Sequence, residues 1–263
     1  MRSVIAYRVP QPKASLRLFC FPYAGAGASI FRGWTKSLSD GIELCPVQLP
    51  GRETRAMEKA HPRMGPLIDA LLHELQGYLD LPFAFFGYSM GALIAFELAR
   101  ALKARHHVTP LHLFLAARRA PRLPGSSFTA ELTDGEFVKE LERLGGAPKQ
   151  ILEHPDMLEL ILPTIRADFA LCESYSYPPG QILDCPLTIF GGKEDPKICY
   201  KELLAWGEET NAGCTVKMLN GDHFFLHSCQ SAIIATILEE LAGSPVSDRL
   251  TTVSSAVEED TAQ

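Results

Sequence analysis

A chain of 263 residues that is 46% hydrophobic and 21% charged is too apolar to be disordered in bulk, and it has the length of one large globular domain or of a domain carrying an insertion. A formal net charge of −6, with basic residues scattered rather than striped along one face, excludes the electrostatic footprint of a nucleic-acid binder. Seven cysteines without a C-x-x-C pair read as free thiols in a reducing compartment, with Cys20, Cys45 and Cys185 in apolar runs, and no apolar run approaches the roughly 18 residues of a membrane span, so a soluble, cytoplasmic protein is expected.

The first residues, MRSVIAYRVPQPKAS, lack the apolar core of a signal peptide. SLRLFCF (15–21) then reads as a buried strand and leads into a glycine-rich loop, FPYAGAGAS (21–29). A helix is expected around 29–39 and a second strand at IELCPVQL (42–49). Arg52, Arg55, Lys59 and Arg63 follow as a local basic group, read either as solvated surface or as a patch that meets an acidic partner. A helix at 64–80 precedes PFAFFG (82–87), which is short, aromatic-rich and bounded by proline and glycine, as a strand buried on both faces would be.

After that strand comes Gly87-Tyr88-Ser89-Met90-Gly91, and then a helical run, ALIAFELARALKAR, ending in basic residues. A strand-to-helix turn this sharp strains its central residue and leaves no room for side chains two positions to either side, hence the glycines. This is the G-x-S-x-G nucleophile elbow, which exposes the serine hydroxyl above a sheet and aims the next N–H, that of Met90, at a developing oxyanion.

Further strands are expected at LHLFLAA (111–117), PLTIFG (186–191) and CTVKML (214–219), with helices at 198–211 and 224–242. Alternating strands and helices with continuous apolar strands predict an α/β fold, a mostly parallel sheet covered on both faces. The rhythm breaks between about 121 and 179. There Thr133 to Glu136 reads as a capping box, Phe137, Leu141 and Leu144 as one helical stripe closed by Gly145-Gly146, and 156–175 as a second amphipathic helix kinked by Pro163. Helices without an intervening strand are expected to form a lid over the site. The polar, acidic segment 243–263 is expected to be a disordered tail, leaving a single domain over 1–242.

A serine hydroxyl needs a base, and the base needs a group that fixes its tautomer. On such a fold the order is serine, acid, histidine. Asp195, in GKEDP just past the fifth strand, is the expected acid, exposed in its loop, with Glu194 as the fallback. His223, in NGDHFFLH directly after the last strand, is the expected base. His227 lies four residues further on, but HFFLH lacks the glutamate of a zinc-protease H-E-x-x-H, so no metal site is expected. Asp222 adjoins His223 in sequence, where side chains diverge. A second oxyanion donor is expected from the first loop, the N–H of Tyr23 or Ala24. That loop lacks the lysine of a P-loop and the third glycine of the dinucleotide fingerprint.

Taken in order, FCFPYAGAGAS, LPGRETR (49–55), PFAFFGYSMGALIAFELAR, PLHLFLAARRAP, IRADF (165–169), GGKEDP and GDHFFL resemble the type II thioesterases. These are stand-alone α/β-hydrolases that serve polyketide synthases and nonribosomal peptide synthetases, and similar motifs occur in the mammalian medium-chain acyl thioesterase of fatty acid synthesis. The resemblance covers about residues 15 to 242. It implies Ser89, Asp195 and His223 as the catalytic triad, Met90 with Tyr23 or Ala24 as oxyanion donors, and no cofactor. Its substrates would be acyl thioesters on the phosphopantetheine arm of an acyl or peptidyl carrier protein acting in trans. The family commonly has two glycines after the alanine of its first loop, where Gly25-Ala26-Gly27 stands here. The triad by itself also suits a general carboxylesterase or lipase, and without turnover the same fold would be a carrier-protein binder.

Overall fold

The computed structural model describes residues 3–125, 129, 132–144, 154–178 and 180–242. Six strands, β1 (Leu16–Phe21), β2 (Ile42–Pro46), β3 (Phe83–Tyr88), β4 (Leu113–Ala116), β5 (Leu187–Gly192) and β6 (Cys214–Leu219), pair in the order β2-β1-β3-β4-β5-β6. Every pairing is parallel. Strands β1 to β5 are buried along their whole length, because helices cover both faces of the sheet and leave no side of a central strand to water.

Alternate residues feed two cores. Phe19, Phe21 and Phe85 pack on one face against α1 (Met64–Leu75) and α2 (Met90–His106). Leu18, Cys20 and Phe86 pack on the other, against Phe31 and Trp34 and against Ile233, Ile234 and Ile237 near the C-terminus. Cys20, Cys45 and Cys185 are buried free thiols, and loss of solvation pushes the last two up to about 12.

Several helical boundaries differ from those read in the sequence. The segment after β1 winds as a 3-10 helix, Ala28–Lys36. Residues 64–80 split into α1 and a 3-10 turn, Gln76–Tyr78. Between β4 and β5 lie α3 (Asp134–Leu144) and α4 (Pro155–Glu173), and a short α5 (Tyr200–Leu204) is followed by another 3-10 turn, Ala205–Glu209. The last described helix, α6 (Gln230–Ala242), begins well after 224; residues 223–228 form turns instead, and there the Asp222 carboxylate accepts the Phe224 N–H (2.8 Å).

Thr133 and Glu136 bond each other's backbone N–H at the start of α3, as a capping box requires. Phe137 and Leu141 then pack with Leu162 and Ile165 of α4 in a small core of their own. Pro163 stands inside α4, which continues on both sides of it. Gly145-Gly146 and the segment 243–263 lie outside the described residues.

Candidate active site

Because all six strands run parallel, their carboxyl ends share one edge of the sheet, and the loops that leave it are brought together there. Ser89 follows β3 with φ 53° and ψ −109°, a backbone conformation that costs a non-glycine residue about 1–3 kcal/mol. It is held there by its own N–H donating to the Ala116 carbonyl (2.8 Å). A Cβ at Gly87 would lie 2.3 Å from the Gly91 carbonyl oxygen, and one at Gly91 would lie 2.1 Å from that of Phe21. Both flanking glycines are therefore steric necessities. Gly91→Ala is expected to destabilise the protein by about 3 kcal/mol or more, since the obstacle is the backbone of β1 and not a side chain that can turn aside. A thermal melt measures this.

Asp195 and His223 approach by a second close contact. A Cβ at Gly192, at the end of β5, would lie 2.5 Å from the Asp222 carbonyl oxygen, so only glycine lets the loops after β5 and β6 press together. There His223 Nδ1 lies 2.7 Å from Asp195 Oδ2, and His223 Nε2 lies 3.3 Å from Ser89 Oγ. With Nδ1–H donating to the carboxylate, Nε2 is left as an acceptor facing the hydroxyl. Contrary to the exposed position expected for it, the Asp195 side chain is 1% exposed. Its second oxygen accepts the Lys197 N–H (2.8 Å), so the carboxylate is turned inward by its own loop.

The alternatives face elsewhere. Glu194 accepts the Gly221 N–H and pins the neighbouring turn. The Asp222 carboxylate is engaged with Phe224 N–H. His227 is exposed and lies 3.5 Å from the Tyr23 hydroxyl, and among the described residues no group of three His, Cys, Asp or Glu could hold a metal ion.

Tyr88 is a residue whose part sequence reasoning missed. Fully buried beneath the elbow, it donates its hydroxyl to the His223 carbonyl (2.6 Å). Burial holds its phenol well above the ordinary range, so the proton needed for that bond stays in place.

A sequence profile described as the thioesterase domain matches residues 16–241. The chain belongs to this thioesterase family. It is 42% identical over 229 residues to the gramicidin S biosynthesis protein GrsT of Aneurinibacillus migulanus, covering 87% of this chain and 90% of that one. It is 35% identical over 224 residues to the medium-chain S-acyl fatty acid synthase thioesterase of Homo sapiens, covering 82% of each. Among solved structures it superposes on the type II thioesterase BorB from the borrelidin biosynthetic cluster with a TM-score of 0.83 at 34% identity, covering 92% of this chain and 99% of that one. The fold is accordingly the α/β-hydrolase fold.

In this thioesterase a cavity of about 800 Å³ opens beside the serine. Tyr23, Ala24, Met90 and His223 line it near Ser89, and Leu132, Phe169 and Tyr175 line it from the segment between β4 and β5. The Met90 N–H belongs to the first turn of α2, where backbone donors have no intrahelical acceptor and the helix dipole favours negative charge.

The thioesterase does not use Arg52 and Arg55 as a surface patch. Arg52 is 7% exposed and grips Asp168 through two parallel bonds (2.6 and 2.7 Å). Arg55 is 4% exposed and bonded to Glu58 and Glu74. The planar guanidinium matches a carboxylate in two bonds at once, which lets these arginines be buried. Lys59 and Arg63 remain exposed.

Proposed function

We propose that Ser89, His223 and Asp195 are the nucleophile, base and orienting acid of a reaction that hydrolyses acyl thioesters from the phosphopantetheine arm of a carrier protein supplied in trans. Stalled or wrongly primed groups on a polyketide or nonribosomal peptide synthase are the substrates this reading favours. It is carried by one observation, an imidazole within hydrogen-bond reach of both a strained serine and a buried carboxylate, in a chain with thioesterase relatives.

His223 Nε2 takes the Ser89 proton as Oγ attacks the thioester carbonyl. The oxyanion is received by the N–H of Met90 and by that of Tyr23 or Ala24. The tetrahedral intermediate collapses as the imidazolium gives its proton to the departing sulfur, so the carrier's thiol leaves and His223 is neutral again. The same histidine then takes a proton from water as it attacks the acyl-enzyme, and returns that proton to Ser89 Oγ as the acid is released. Every group in the sequence belongs to the chain itself, in keeping with the cofactor-independent chemistry of this family. The helices α3 and α4 act as a lid, placing cavity-lining residues opposite the nucleophile within one domain spanning 1–242. All seven cysteines are free and no described helix is long and apolar enough to cross a membrane, which supports a cytoplasmic site of action alongside its carrier protein.

A comparison of three donors of one acyl chain tests the reading: acyl carrier protein, acyl N-acetylcysteamine and the p-nitrophenyl ester. The carrier thioester is expected to give the highest kcat/KM. A preference for the oxygen ester would make the protein a carboxylesterase, and carrier binding without turnover would make it a binder.

A further inference from the structure

The buried Asp168 carboxylate, on the cavity-lining helix α4, is joined to the loop after β1 as well as to Arg52. Its Oδ2 accepts the Gly25 N–H (2.7 Å) together with Arg52 Nη1 (2.6 Å), while Oδ1 accepts Arg52 Nη2 (2.7 Å). Asp168 is 2% exposed, so water does not substitute for these donors. Arg52 also donates to the Ala26 carbonyl (3.3 Å) and, through Nε, to that of Pro50 (3.2 Å). Gly25, at φ 80°, directly follows Tyr23 and Ala24, and the Ala26 N–H closes the turn on the Tyr23 carbonyl (3.1 Å). One carboxylate thus fixes the segment that holds both candidate donors.

The same helix presents Phe169, Cys172 and Glu173 to the cavity. One turn before Asp168, Thr164 Oγ1 donates to the Gly51 carbonyl (2.7 Å), a second tether that does not touch the β1 loop.

We infer that Asp168, with Arg52, is a positioning residue for the oxyanion hole: its charge holds the β1 loop so that an N–H reaches the developing oxyanion, and it ties that loop to the helix walling the acyl cavity. This rests on the proposed reading of Tyr23 or Ala24 as oxyanion donors. The physical reason is directional. A backbone N–H stabilises an oxyanion only within a narrow range of distance and angle, and a flexible glycine-rich loop does not hold that range unaided.

Asp168→Asn tests it, since the amide keeps the shape but must turn an NH2 toward Arg52 or toward the Gly25 N–H, donor against donor. We expect kcat to fall by about 10²–10³-fold, the usual loss for one oxyanion donor, with KM changed little. Affinity for a trifluoromethyl ketone bearing the same acyl chain, which forms an oxyanion on Ser89, should fall in parallel. Thr164→Val removes the other tether and serves as the control: it should lower the melting temperature while leaving kcat and ketone affinity near wild type. Should Asp168→Asn fail to fold, Arg52→Lys, which keeps the charge and loses the paired bonds, is expected to show the same coupled losses at smaller size. Folded Asp168→Asn with wild-type kcat, or with lowered kcat and unchanged ketone affinity, would overturn the inference. So would equal effects of the Asp168 and Thr164 variants. Failure of the triad reading shows separately, as the absence of a fluorophosphonate adduct on Ser89 in the wild-type protein.

Discussion

Ser89→Ala is expected to lower turnover of an acyl thioester by about 10⁶-fold, the loss seen when a triad nucleophile is removed, while the melting temperature shifts by only a few degrees. The two effects separate because the hydroxyl contributes little to the architecture. Its Oγ meets His223 Nε2 at 3.3 Å, whereas the strained turn is held by the Ser89 N–H bond to Ala116 and by the two flanking glycines, all of which alanine leaves in place. Steady-state kinetics with a calorimetric melt on the same preparation checks both halves. Substantial turnover in the folded variant would place the nucleophile elsewhere.

Asp195→Asn is expected to cost about 10⁴-fold in kcat with a far smaller change in KM. One carboxylate oxygen accepts the Lys197 N–H and the other accepts His223 Nδ1–H. An asparagine in this place keeps its carbonyl toward Lys197 and turns its NH2 toward Nδ1, so the imidazole must accept there and carry its proton on Nε2. In that tautomer Nε2 cannot take the proton of Ser89. Glu194→Gln is the control: this side chain accepts Gly221 N–H, whereas the imidazole nitrogens are bonded to Asp195 and Ser89, so kcat should stay within a few-fold of wild type. A crippled Glu194→Gln beside a harmless Asp195→Asn would reverse the assignment of the acid.

The strands and the elbow were legible in the sequence because both leave local signals. A run buried on both faces reads as unbroken apolar residues, and an impossible side-chain position reads as glycine, here at Gly87 and Gly91. Asp195 and His223 were expected by the same means, as polar residues just beyond strand ends, and the structure brings them within 2.7 Å of each other. The inward turn of Asp195 was not legible, since it depends on the carboxylate bonding a backbone N–H two residues on. The union of Arg52 with Asp168 spans 116 residues, and no periodicity reports a pairing at that distance. Read alone, Arg52 and Arg55 look like exposed charge; only their partners show why they are buried. The Gly191-Gly192 pair was a usable signal for the approach of the last two loops, and Tyr88 had none beyond its place inside the elbow.

Ser89 and His223 stand 134 residues apart, on loops that meet only when β3, β5 and β6 lie in one sheet. In the proposed mechanism the hydroxyl leaves the ribosome long before its base, so the nascent chain carries an inert alcohol. On that proposal, reactivity toward thioesters is switched on by closure of the fold itself, and a damaged molecule that loosens its sheet falls silent rather than becoming indiscriminate.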